Sequence, residues 1–414
     1  MTTEKKPIHV REPLFHLAKR DNMPRYKALL IRLCAIAAGL LITCAFGYMI
    51  LGWTPYDILT TFRDGAFQTA NRRWSLFENT AILLLLSLAV TPAFRMRFWN
   101  IGAEGQALVS CLVTGACMMK LGDKVPNPVL ILIALVSAMA VGALWALIPA
   151  IFKAFWNTNE TLFTLMMNYI AAQITSYYVY IWSTPKGSGH VGVINQDTQA
   201  GWLTALAGQE YLLTILIAVV MTFVSYIYLN YCKHGYEISV VGESEKTARY
   251  IGINVKTVIL RTMIISGALC GLTGFLIVAG ADHTFIKDSV GGLGFTAIMV
   301  SWLAKFNPIA MMFFAFLIAF LDKGAREVTT QTRLDASFSS IVVGLVIFCI
   351  IGCEFFINYS IRFHRKEKKR ETVPDEAAPP EQPDTEEQQD TEDEPKTEDK
   401  PENKPEEAEE EAQS

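Results

Sequence analysis

The run Asn100-Ile101-Gly102-Ala103-Glu104-Gly105-Gln106 sets a carboxylate, two amides and two glycines between apolar stretches at 81–94 and 107–119. Ionisable groups at membrane depth are costly, and they face a bundle interior or a watery cavity. The chemistry this set supports is binding rather than bond making. Asn100 and Gln106 each offer donors and acceptors. Gly102 and Gly105 admit close approach of a neighbour or a solute. Glu104 lies near a helix start, where the helix dipole favours negative charge. Two readings stay open: an interrupted helix lining a translocation path, or an interfacial turn whose Glu104 is only a helix-start carboxylate.

Other polar groups admit similar pairs of readings. Asn157-Thr158-Asn159-Glu160-Thr161 opens an apolar run, and local capping by Thr158 or Asn159 accounts for it. Asn168 lies two turns further on and is placed to face a polar interior. In the stretch 233–256, residues from Ser244 to Ile251 have the composition of a short helix that Gly252 stops. Such a helix is either a grip for a motor subunit or an ordinary solvated loop. Gly291-Gly292-Leu293-Gly294 lacks the lysine and hydroxyl of a phosphate loop and reads as a flexible start to a span. Asp282 and His283 could titrate at a gate, or simply be solvated at a boundary. No paired carboxylates, Ser/His/Asp set or metal spacing is present. The eight cysteines form no C-x-x-C and read as small buried hydrophobes.

The elements that must position these residues are membrane spans. Of 414 residues, 51% are hydrophobic, which excludes an ordinary soluble globule. The net charge of −4 hides two regions: residues 371–414 hold 19 acidic and 3 basic groups, and residues 1–370 hold 21 acidic and 33 basic ones. Apolar runs recur at 28–52, 78–94, 104–121, 128–152, 160–182, 211–231, 257–280, 290–304, 307–321 and 337–358. Against the ~20 residues a spanning helix needs, this gives an all-α polytopic protein of about ten spans. The second, eighth and ninth runs are short. The basic N-terminal segment, 1–27, is expected in the cytoplasm, as are Arg95, Lys153, Lys233, Lys246, Arg249 and the cluster from Arg362 to Arg370. Both termini then lie inside. Arg72, Arg73, Lys323, Arg326 and Arg333 fall outside and blur the bias. Residues 184–208 read as an external loop. The tail in 361–414, basic then acidic, cannot bury a core and is expected to be disordered.

Phe98-Trp99-Asn100-Ile101-Gly102-Ala103-Glu104-Gly105-Gln106 resembles the "FNIGxEGQ" signature of the nucleoside branch of bacterial ABC importer permeases. That family handles branched-chain amino acids, simple sugars and nucleosides. Asn159 to Ile170 is similar to its "NEVISTLMLNYIA" stretch, and Val241 to Ile253 to its "VGxNxxAARYAGI" segment. Gly292 to Ile298, with Asn307-Pro308, resembles "GyGFdgIAVALLGxxnP". The resemblance covers residues 28–360, which become the permease domain, with 233–256 as its cytoplasmic coupling loop. Thr296 stands where the family usually has Asp, and Met299-Val300-Ser301-Trp302-Leu303-Ala304 replaces a small apolar run. If that segment lines the path, Trp302 narrows it or adds a stacking face for a base or sugar.

The resemblance implies a transport subunit, not an enzyme, in the bacterial cytoplasmic membrane. It implies nucleoside uptake, with a simple sugar such as ribose, or an ion-coupled carrier, as alternatives. ATP would be hydrolysed on a partner ATP-binding subunit; this chain would bind no cofactor, metal or nucleic acid. A second permease, different or identical, and an extracytoplasmic solute-binding lipoprotein would complete the assembly in the lipid bilayer. The implied path residues are Asn100, Gly102, Glu104, Gly105, Gln106, Asn168 and Trp302. Those implied in coupling are Gly242, Glu243, Ala248, Arg249 and Gly252.

Overall fold

The structure, a computed structural model, describes residues 15–19, 24–183, 185–206, 208–332, 335 and 337–363. The described residues up to Arg362 group as one compact unit. The acidic tail and most of the basic N-terminal segment lie outside the described residues.

Thirteen α-helices follow one another among the described residues: α1 (Arg25–Leu51), α2 (Pro55–Phe67), α3 (Ala70–Arg95), α4 (Ala103–Leu121), α5 (Asn127–Trp156), α6 (Glu160–Trp182), α7 (Leu212–Tyr231), α8 (Lys233–Glu243), α9 (Glu245–Tyr250), α10 (Val255–Leu276), α11 (Leu293–Leu303), α12 (Pro308–Thr332) and α13 (Ser337–Asn358). A π-helical turn, Ile277–Asp282, extends α10. Two short strands, β1 (Phe15–Lys19) and β2 (Tyr359–Phe363), pair with each other and qualify the all-α expectation.

Every apolar run read from the sequence is largely helical, but among the described residues seven helices are long and apolar enough to cross a bilayer: α1, α3, α5, α7, α10 with its π turn, α12 and α13. The runs at 78–94 and 307–321 look short only because their helices continue into polar residues; α3 has 26 residues and α12 has 25. α4 and α6 have 19 and 23 residues but carry polar side chains toward the interior. α11 has 11 residues, roughly 16 Å of helix against ~30 Å of hydrocarbon. α2 and α8 are helices that the apolar count passed over. α2 starts on a capping box, Thr54 with Asp57, and buries Ile58 and Phe62.

Helices α3 and α10 form the centre. Leu83, Leu85, Leu86 and Leu88 of α3 are all buried, as a helix surrounded by others requires. α10 lies against α5 through small residues. Gly267 and Gly271 of α10 face Ala138, Gly142 and Ala146 of α5, and a Cβ added at either glycine would strike α5 backbone or an Ala146 methyl. Ala134, Ala138, Gly142, Ala146 and Ala150 recur every four residues on that face. Without a hydrophobic drive between helices in lipid, such contact draws on close backbone packing. α1, α5 and α7 leave most of their apolar surface outward.

Three of the charges that blurred the topology bias have local polar partners. Arg72 meets Glu327 at 3.0 Å, Arg326 meets Asp322 at 2.8 Å, and Lys323 Nζ donates to Ser75 Oγ at 2.7 Å. Arg333 lies outside the described residues. The connection before α7 docks on the π turn: Leu203 N donates to Ala279 O at 2.9 Å, and the Trp202 indole stacks on His283 at 3.8 Å.

Candidate functional site

Helix α3 ends at Arg95, and Arg97 takes a left-handed φ of 61°. The chain then runs through Phe98–Gly102 without regular structure before α4 begins at Ala103. This segment is held by side chains from three other helices. Asn100 is fully buried. Its Oδ1 accepts from Gly102 N at 3.0 Å and from Gln106 Nε2 at 3.2 Å, and its Nδ2 donates to Ser266 Oγ of α10 at 3.3 Å. Asn168 of α6 bridges the same turn: Oδ1 accepts from Gly105 N at 2.9 Å, and Nδ2 donates to Ile101 O at 2.9 Å. Thr164, one turn earlier, accepts from Ile101 N at 3.2 Å. Buried backbone groups outside a helix need such partners, and the amides supply them.

The glycines allow the approach. A Cβ on Gly105 would sit 2.7 Å from Asn168 Oδ1 and 2.9 Å from Asn168 Cα. Gln106 Oε1 is buried and makes no hydrogen bond among the described residues.

Glu104 serves a different helix from its own. Its carboxylate accepts from Gly292 N at 2.9 Å and from Gly294 N at 2.7 Å, at the first turn of α11. The unpaired N–H groups and positive dipole end of α11 therefore receive a fixed anion. Gly294 makes this possible, because a Cβ there would fall 2.6 Å from Glu104 N. At the other end of the same segment, the Trp99 indole lies 5.5 Å from that of Trp302. Thr91 and Ser301 hydroxyls meet at 2.9 Å in the buried layer behind. The segment Trp99–Glu104 thus runs antiparallel along α11, with α6 on its other flank. Left-handed residues bracket α11: Gly291 and Gly292 before it, Lys305 and Phe306 after it.

The residues of the 233–256 stretch are packed differently. Gly242, at the end of α8, is so close to Arg95 O that a side chain there would strike it. α9 starts on a Ser244 cap and ends where Gly252 takes φ 85°. Ala248 is fully buried, in one apolar cluster with Met96, Phe98, Ile238 and Val255. Glu243 and Arg249 are exposed, the latter 3.4 Å from Glu245. Tyr250 is 92% exposed. At the root of α8, the hydrogen bond from Arg261 at 2.7 Å holds the Glu237 carboxyl below the usual carboxylate range.

Residues 75–351, well over half of the chain, match the family described as branched-chain amino acid transport system, permease component. The chain belongs to this permease family. The similar proteins include the guanosine ABC transporter permease protein NupP of Bacillus subtilis, 29% identical over 82% of this chain and 96% of the relative. The glucose ABC transporter permease protein TsgB13 of Haloferax volcanii is 28% identical over 67% and 76%. The nucleoside ABC transporter permease protein NupB of Lactococcus lactis is 26% identical over 80% and 93%. No solved structure matches. With its apolar helices, this member of the permease family is a multi-pass membrane protein.

Six of the seven path residues expected from the sequence meet in one place: Asn100, Gly102, Glu104, Gly105, Gln106 and Asn168. Five of them are buried and bonded into the turn, and Glu104 is partly buried against α11. Trp302 joins them through Trp99. Ser266 escaped sequence reasoning; Thr164, Gly292 and Gly294 lay inside quoted stretches, but nothing in local spacing ties them to partners 63 to 190 positions away. Trp99 was legible, lying inside the quoted motif. Asn159 is a helix cap, its Oδ1 accepting from Leu162 N at 3.2 Å.

Proposed function

We propose that this permease is the membrane subunit of an ATP-driven importer that carries nucleosides inward. The observation supporting it is the match to guanosine and nucleoside permeases across more than nine tenths of their own length. We further read ten crossings with both termini cytoplasmic, the eighth completed by the irregular 283–292 stretch and the half-length α11. A partner ATP-binding subunit grips α9, a second permease pairs with this one, and a solute-binding lipoprotein delivers cargo outside.

The mechanism proposed is alternating access. Motor closure displaces α9. Ala248 shares an apolar cluster with Met96 and Phe98, so the displacement is passed to the turn at Asn100. That turn is clamped to α6 by Asn168 and to α11 by Glu104, so the three pieces shift together and re-gate the path. ATP stays on the partner; this chain supplies the binding face and the lever.

The test is uptake of labelled guanosine by the assembled complex in the presence of unlabelled competitors. Nucleosides should compete and free ribose or glucose should not. Competition by glucose alone would assign the chain to the sugar-carrying type, which the Haloferax relative also represents.

A further inference from the structure

The exposed side of α11 is graded along its length. Thr296 and the Glu104 carboxylate lie at its start; Phe295, Met299 and Trp302 form an open row, 41%, 42% and 50% exposed. Trp99, 44% exposed, stands beside Trp302 with its ring tilted by 48°. Phe94 supports Trp99 edge-on at 5.7 Å, and Phe306 supports Trp302 at 6.3 Å. The two indoles are therefore braced from behind while their outer faces stay bare. From Thr296 to Trp302 the row spans about 9 Å at 1.5 Å per residue. The Glu104 carboxylate, bonded to Gly292 N and Gly294 N, sets a polar end beside this aromatic row.

We propose that Trp99 and Trp302 form the stacking platform that receives the base of a nucleoside in transit, with its sugar hydroxyls directed to the Glu104 and Thr296 end. The inference rests on the nucleoside reading above and adds to it a residue-level basis for solute choice. Aromatic faces bind bases with little regard to their hydrogen-bonding edges, because every base has a π face. A larger ring system gains more from the platform, so it favours purines over pyrimidines.

The experiment compares initial uptake of labelled guanosine and labelled uridine by the full complex in proteoliposomes, for wild type, Trp302→Ala, Trp302→Phe and Trp99→Ala. Co-purification of the ATP-binding subunit reports assembly for each variant. Stacking onto a protein aromatic is worth ~1–3 kcal/mol per base. Guanosine uptake should accordingly fall about tenfold in either alanine variant, uridine uptake by clearly less, and Trp302→Phe should restore most of the guanosine rate. Equal loss of both solutes without rescue by phenylalanine would make the indoles membrane anchors and overturn the platform. A variant that fails to assemble is read through Trp302→Phe, whose purine preference must then lie between wild type and none; an unchanged preference overturns the platform too. A wild-type complex that moves glucose and neither nucleoside overturns the nucleoside reading itself, a separate and recognisable result.

Discussion

At the scale of single residues, Glu104 is unusual because its two oxygens are committed to another helix. A carboxylate that accepts two N–H bonds forms charge-assisted contacts, stronger than neutral ones. Glu104→Gln keeps the shape but loses the charge, and its amide nitrogen cannot accept. One of the two α11 amides is left without its partner, at a cost of about 1–3 kcal/mol for a buried group. Uptake by the assembled complex should drop about tenfold while co-purification of partners persists; unchanged uptake would separate the clamp from transport. The sequence marked Glu104 as a path-lining group or a carboxylate at its own helix start and did not reach its partners, because dipole arguments extend only one turn along the chain. Its true partners, Gly292 and Gly294, lie 188 and 190 residues away. Gly252 is the converse case. The helix stop was legible, and the structure adds that a side chain there meets open space, so a substitution is opposed by the positive φ alone.

At the scale of elements, two interfaces carry the argument. α5 and α10 meet through glycine and alanine backbones, so Gly271→Leu has nowhere to put its side chain. Overpacking of this kind costs about 1–3 kcal/mol or more, and the purified chain should unfold at a lower temperature than wild type in a thermal scan. An unshifted midpoint would mean that α5 can move away freely. The signal was on the page as Gly267-x-x-x-Gly271 and the four-residue rhythm of small residues in α5; apolar counting passes over it because small residues score as merely hydrophobic. The second interface is α9 against the cluster around Met96. Ala248→Phe should lift α9 off this cluster, so that uptake is lost while ATP hydrolysis by the complex continues uncoupled. Coupled transport at the wild-type rate would exclude Ala248 from the lever. Here the sequence read a short helix from Ser244 correctly, within a residue at either end, since cap and glycine stop are local signals. It did not foresee α8, whose composition is that of a loop and whose helix is held by packing on Arg95 and by Arg261.

At the scale of the whole molecule, the apolar runs located ten helical stretches in order, because burial in lipid leaves a strong one-dimensional trace, but they missed α2 and α8. They could not give which helices are central. α3 and α10 are enclosed, with mean hydropathies of 1.6 and 2.0, while α1, α5 and α7 are outward with 2.2 to 2.5; yet α12, at the same 1.6 as α3, is only half-buried, so hydropathy alone does not fix lateral position. Lateral position depends on contacts among residues far apart in sequence. The side chains of α11 divide into two classes with different prospects for anyone who wishes to redirect the cargo. Gly294 and Ser301, on the row facing α4 and α3, are locked by a tight fit or a hydrogen bond, and a change at one strands its neighbour. Phe295, Met299 and Trp302, on the open row, carry no side-chain hydrogen bond among the described residues that a replacement would orphan. The adjustable and the fixed therefore sit on opposite sides of one short helix, and a library confined to the open row could retune which solute passes without dismantling the machine that moves it.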